Sequence, residues 1–162
     1  MSVKSNFQFF LWFLNFSFHP YILTSMAHEK LYNLSESFSE GLNILQEFEK
    51  SLATLSEKYR ISIIGMDRNK GQLDFRFAGS LISIRIRAIS EFDARYFGLI
   101  EWYLYEDNDE MISRLAKTNK FDRDGKLYEN IQDLGTTYNI RSPEQERKGE
   151  SFLLLNLEKI LE

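Results

Sequence analysis

The stretch QLDFRFAGSLISIRIRA, residues 72–88, decides the fold class of this chain. Apolar and polar residues alternate over 72–78 and again over 81–88, which is typical of two strands that each bury one face. Gly79 and Ser80 separate the two runs, and so short a connection requires antiparallel pairing. The sequence therefore predicts a hairpin with one apolar side and one polar side.

Further strand patterns flank this hairpin. The segment before it, 59–66, is β-branched and apolar, and 96–105 is the most apolar run of the chain and is predicted as a central strand. More exposed strands are predicted at 111–121 and 126–129, joined by the hairpin turn Asp-Arg-Asp-Gly at 122–125, whose glycine suits positive φ. These segments predict about six antiparallel strands in meander order.

Helical patterns lie at both ends of the strand region. From residue 27 to 59, apolar side chains recur every three or four positions, which indicates an amphipathic helix, either continuous or broken near Gly41. This stripe fits a helix lying across a sheet, and its heptad-like spacing also allows a homodimer through 27–59. A capping box at 142–145 precedes a second helix over 151–162. The predicted fold is α+β, with the C-terminal helix packed on the same sheet face as the first.

The sequence predicts a single domain over residues 26–162. Residues 1–25 are a doubtful leader: they read either as a signal-like segment or as upstream sequence that is not part of the protein. The run FQFFLWFLNFSFHPYILTSMA at 7–27 allows three interpretations: a signal peptide cleaved after Ala27, an interfacial anchor, or upstream read-through before a true start at Met26. We expect the read-through interpretation and a cytoplasmic location. Export is the alternative, and a membrane role requires that 1–25 be retained.

Composition excludes several kinds of chemistry. The chain has 162 residues, 43% of them hydrophobic, a formal net charge of -4 and no cysteine, so disulfides and thiolate sites are absent. His19 and His28 are its only histidines, and it contains no glycine-rich phosphate loop. The sequence accordingly predicts no catalytic residues, no metal site and no cofactor. A carboxylate-dependent enzyme stays a further alternative, although no spacing singles out a pair of acids.

The polar side of the predicted sheet is the candidate binding surface. It carries Arg76, Arg85, Arg87, Glu101, Tyr103 and Tyr105, together with Asp74. Arginine and tyrosine are enriched at protein interfaces, so this face, or an unpaired strand edge around 111–121, predicts a non-enzymatic protein-binding domain. The order of elements is similar to that of small acidic secretion chaperones and some immunity proteins, which implies an adaptor-like, chaperone-like or immunity-like role with a protein partner. The alternative is a single-stranded nucleic-acid binder that stacks bases on the tyrosines, which the acidic net charge disfavours.

Overall fold

The computed structural model describes residues 4–90, 96–105, 113–129, 137–139 and 146–161, with most side chains from Ser25 onward. The elements are α1 (Lys4–Tyr59), β1 (Ser62–Asp67), β2 (Gln72–Phe77), β3 (Ser80–Ser90), β4 (Tyr96–Tyr105), β5 (Ser113–Phe121), β6 (Lys126–Tyr128), β7 (Thr137–Asn139) and α2 (Glu146–Leu161). Residues 1–33 and 34–162 are two compact units, and the sheet belongs to the second. In the described part of the chain, no helix is long and apolar enough to cross a membrane.

The sheet is an antiparallel meander in which the strands lie in chain order from β1 to β7. This confirms the predicted α+β class and places β4 at the centre, as its apolar sequence indicates. Seven strands are present in the described residues instead of about six. The additional strand, β7, pairs with β6 in a region that the sequence indicates as a loop. A three-residue strand is too short to produce a readable alternation.

The first helix runs without interruption past Gly41, so the alternative of a break there is wrong. Gly41 is instead a point of close approach, because a Cβ on it would meet the side chains of Ile86 and Phe121. The buried residues Ile44, Leu45, Phe48, Leu52 and Leu55 follow it at helical spacing. Over this stretch α1 lies on the sheet, and its apolar side chains form part of the core of the same chain.

Both helices share one core with the helix-covered face of the sheet. The sheet contributes Leu73, Phe75, Ile82, Ile84, Ile86, Ile100, Trp102, Phe121 and Leu127, and α2 contributes Phe152, Leu153, Leu157 and Ile160. The ring of Phe48 stacks on Phe152 with centroids 5.8 Å apart and lies 6.2 Å from Trp102. Each large apolar side chain buried in this way contributes about 1.5–3 kcal/mol to folding. The helices cover this face, and the opposite face also contains buried residues, among them Leu81, Leu99 and Tyr105.

The turn between β5 and β6 confirms the prediction made from its sequence. Gly125 has φ 72°, a conformation that glycine adopts without strain. One oxygen of Asp122 accepts hydrogen bonds from the backbone N–H groups of Asp124 and Lys126, and the other accepts one from the Tyr128 hydroxyl. The carboxylate of Asp122 is therefore engaged in stabilising the turn. The capping box predicted at 142–145 lies outside the described residues.

Candidate functional site

The register of the sheet places the predicted binding residues on its outer face, the face opposite the helices. In the pairing of β3 with β4, Leu81 lies opposite Tyr105, Ser83 opposite Tyr103 and Arg85 opposite Glu101. On β2, Asp74 lies opposite Ser83 and Arg76 opposite Leu81. Side chains of directly paired residues point to the same face. We call the set Asp74, Arg76, Arg85, Arg87, Glu101, Tyr103 and Tyr105 the Arg/Tyr face.

Five of these side chains form a continuous chain of contacts across β3 and β4. Arg87 Nη2 lies 2.6 Å from Glu101 Oε1, and the Tyr103 hydroxyl donates to Glu101 Oε2 at 3.2 Å. The Arg85 guanidinium lies over the Tyr103 ring, 4.5 Å from its centroid, and its Nη2 donates to the Tyr105 hydroxyl at 2.9 Å. Each residue thereby fixes its neighbour, so the face is ordered before any partner arrives.

The ion pair in this chain is diagonal and differs from the direct cross-strand pair. Arg85 lies opposite Glu101, yet Glu101 binds Arg87, whose own opposite residue is Leu99. Arg85 turns instead toward the two tyrosines. Both diagonal and direct neighbours are within reach of a long side chain, so the register alone does not choose between them.

Exposure differs sharply between the two partners of the ion pair. The side chain of Arg87 is 60% exposed, whereas that of Glu101 is 10% exposed. The Glu101 carboxylate is largely buried, and its two oxygens contact Arg87 and Tyr103, whereas the Arg87 guanidinium reaches solvent. Arginine presents five N–H donors in a planar fork, so Arg87 can hold Glu101 with one of them and offer others to a partner.

The acid on the neighbouring strand is also engaged. Gln72 Nε2 donates to both oxygens of Asp74, at 3.0 and 2.8 Å. Asp74 and Arg76 share the face from the neighbouring strand β2. The structure therefore divides the predicted residues into a contiguous group on β3 and β4 and a flanking pair on β2.

Lys120 is a cation of this face that the sequence analysis did not include. In the pairing of β4 with β5, it lies opposite Leu99, which in turn lies opposite Arg87. Its ammonium group lies over the ring of Phe97, 4.2 Å from the centroid. Long cationic side chains cover apolar surface with their stems, and Leu99 between the two is buried. Thr118 and Lys120 are two positions apart, so they lie on the same side of β5. The spacing alone does not show which side that is, because the register of β5 against β4 decides it.

The other surface suggested by the sequence, the edge of β5, carries features that protect it. In the described residues, β6 pairs only with Lys120 and Phe121, so positions 113–118 have a strand on one side alone. A bulge falls in this stretch, because Trp102 pairs with Lys117 and Tyr103 with Leu115, which leaves Ala116 without an opposite residue. Bulges and inward-pointing lysines are the devices by which natural sheets avoid edge pairing.

Lys117 is the inward-pointing lysine of this edge. It pairs with Trp102 and so lies on the helix-covered side, where burial, reinforced by nearby Lys159, lowers the pKa of its ammonium group. A strand added beside β5 would bury this charge further. The edge is thus the less suitable of the two predicted surfaces.

The surroundings of Tyr103 favour its neutral form. Burial, together with the charge of Glu101 and the hydrogen bond to it, raises the pKa of Tyr103 above 10.0. The pKa of Tyr128 is raised for similar reasons, by burial and by its hydrogen bond to Asp122. A raised folded-state pKa gives a contribution to stability that is fully present below the unfolded pKa and is lost as the pH rises through the folded one.

We therefore expect the thermal stability of the protein to fall as the pH rises above 10.0, the ordinary tyrosine value. Replacing Tyr103 with phenylalanine should make this fall smaller without abolishing it, since Tyr128 still titrates. The measurement is the melting temperature at a series of alkaline pH values, with tyrosinate absorbance followed in parallel. An unchanged alkaline loss of stability in Tyr103→Phe would show that Glu101 does not hold the phenol in its neutral form.

The Arg/Tyr face presents guanidinium, carboxylate and phenol groups. Among the described residues, no group of three or more histidine, aspartate or glutamate side chains is placed to hold a metal ion. Tyr105 is only 8% exposed, and one side of the Tyr103 ring is covered by Arg85, so these rings offer little surface for stacking a base. The exposed member of the face is Arg87, whose guanidinium is paired with Glu101. No family of proteins, curated protein or solved structure was found to match this chain.

Proposed function

We propose that this protein is a small non-enzymatic protein-binding domain, an adaptor-like, chaperone-like or immunity-like module, that holds its partner on the Arg/Tyr face. The observation that supports this most directly is the ordered chain from Arg87 through Glu101, Tyr103 and Arg85 to Tyr105. Side chains ordered before binding lose little conformational freedom on association, which favours affinity. Arginine and tyrosine are also the residue types over-represented among those that dominate binding energy at interfaces.

The structure of the face determines which substitution tests the proposal. Reversing the charges of Arg85 and Arg87 together would surround the largely buried Glu101 with like charges, so lost binding and lost folding would be confounded. Arg87→Gln is the better change, because the amide can still donate to Glu101 while the exposed positive charge disappears. Arg68→Gln is the matched control, since Arg68 is an exposed arginine in the turn between β1 and β2.

We expect cross-linking in the native host to join a partner protein to the wild-type chain and to Arg68→Gln, and to join much less of it to Arg87→Gln. Melting temperatures of the three proteins establish that folding is preserved. Equal yields of every cross-linked partner from Arg87→Gln would overturn the proposal for this face.

We further propose that the protein acts in the cytoplasm. The absence of cysteine is compatible with this location. Export with cleavage after Ala27 is the alternative. The homodimer through 27–59 stays a prediction. Five side chains of its apolar stripe are buried in the core of the same chain and so are not available to a second copy: Ile44, Leu45, Phe48, Leu52 and Leu55.

A further inference from the structure

The Arg/Tyr face and Lys120 carry a charge opposite to that of the whole chain. The protein has a formal net charge of -4, yet among the described residues the Arg/Tyr face and Lys120 hold four cations, at Arg76, Arg85, Arg87 and Lys120, against the two acids Asp74 and Glu101. Asp67, opposite Gln72 at the end of β1, is paired with Lys70. A local patch of one sign attracts ligands of the other sign and steers their approach.

Both acids already have partners within the chain, so their oxygens are occupied, and the four cations exceed the two acids on this surface. Glu101 is bound by Arg87 and by the Tyr103 hydroxyl, and Asp74 receives two hydrogen bonds from Gln72. Arg85 and Arg87 are less completely satisfied. In the described part of the chain, Arg85 Nε is a buried donor without a hydrogen-bond acceptor, and Arg87 is largely exposed.

Arg87, which is exposed, and Lys120, which is half-buried, form a pair of cations on this surface. They flank Leu99 from the two neighbouring strands, and adjacent strands lie about 4.7–4.9 Å apart. Two cations held on opposite sides of one strand suit a ligand with several carboxylates spaced along an extended chain. A carboxylate also matches the planar fork of the Arg87 guanidinium.

The same features argue against a nucleic acid as this ligand. Stacking needs open aromatic rings, whereas Tyr105 is buried and Arg85 lies on Tyr103. A long phosphate backbone would also extend beyond the patch onto a protein that is acidic overall. We infer that the ligand of the Arg/Tyr face is an acidic polypeptide segment and that Arg87 and Lys120 are its contact residues. This rests on the proposed function and specifies the partner's chemistry.

The experiment titrates the full chain with a capped oligoglutamate peptide by calorimetry, at low and at high salt. The double variant Arg87→Gln/Lys120→Gln is compared with Arg68→Gln/Lys70→Gln, which removes the same number of charges from the exposed turn between β1 and β2. We expect saturable binding that weakens with salt and weakens by about tenfold or more in the first variant, as the loss of charge-assisted hydrogen bonds implies. The turn variant should bind as the wild type does.

Three results would overturn the inference: no binding of oligoglutamate by the folded wild type, an equal loss in the turn variant, or tighter binding of oligothymidylate of the same length. The proposed function has a separate test. If oligoglutamate fails to bind while Arg87→Gln still loses its cross-linked partner, the inference is wrong and the function stands. If the cross-linked partner is unaffected by Arg87→Gln, the proposed function is wrong for the Arg/Tyr face, whatever the outcome with oligoglutamate.

Discussion

Replacing Asn119 with leucine is expected to lower the free energy of unfolding by about 3–5 kcal/mol, because it leaves several buried polar groups unpaired. Asn119 and Trp102 are both fully buried. The Asn119 amide oxygen accepts the Trp102 indole N–H at 2.7 Å, and its nitrogen donates to the carbonyl oxygens of Glu129 at 2.8 Å and Tyr128 at 3.4 Å. One side chain thus joins β4 to the strand that follows β5.

Equilibrium unfolding in urea measures this loss, and a double-mutant cycle with Trp102→Phe assigns it. In the Trp102→Phe background the indole donor is already absent, so Asn119→Leu should be less destabilising there by about 1 kcal/mol or more. Additive effects of the two substitutions would show that the indole hydrogen bond contributes nothing. A loss below about 1 kcal/mol in the single variant would contradict the importance of the whole network.

Replacing Gly98 with alanine is expected to destabilise the protein by about 2–3 kcal/mol, although glycine-to-alanine changes within strands usually stabilise. Gly98 lies opposite Phe121 in the register, and a Cβ on it would overlap the Phe121 ring. The ring covers the glycine from the helix-covered side of the sheet, and its far end contacts Gly41 on α1. The ring therefore occupies the space that a side chain at position 98 would need.

The sign of this effect should reverse once the ring is removed. In a Phe121→Ala background, Gly98→Ala should stabilise by about 0.5–1 kcal/mol, the ordinary preference for alanine over glycine. Phe121→Ala alone should cost about 3–5 kcal/mol, so Phe121→Leu is the milder background if the first does not fold. Urea unfolding of the four proteins checks the prediction. Destabilisation by Gly98→Ala in every background would mean that the ring is not the obstacle.

Sequence reasoning located the Arg/Tyr face but not its contacts. Alternation along β2, β3 and β4 was sufficient to place Arg85, Arg87 and Glu101 on the same side, because a strand has a fixed side-chain period of two. The choice of Arg87 as the partner of Glu101 depended on the reach and rotamers of long side chains. No linear pattern encodes that choice.

In β5, the sequence also does not show which face of the sheet each lysine occupies. Its sequence reads as an exposed strand, and both Lys117 and Lys120 look like solvent-facing charges. The bulge at Ala116 places Lys117 on the helix-covered side, while Lys120 joins Arg87 on the outer face. An extra residue in one strand changes which face the following side chains take. Such a bulge is defined only by how the two strands pair, so it cannot be read from one strand's sequence.

By itself, the sequence determined the α+β class, the antiparallel order of the strands and the long first helix that covers one sheet face. These follow from local rules: the two hydrophobic periods, the short connections and the turn residues at 122–125. Only the tertiary structure decided the diagonal ion pair, the recruitment of Lys120, the Trp102–Asn119 hydrogen bond and the packing of Phe121 onto Gly98. Each of these joins residues of different strands, and the neighbours of a side chain across a twisted, bulged sheet are set by register and distance instead of by its place along the chain.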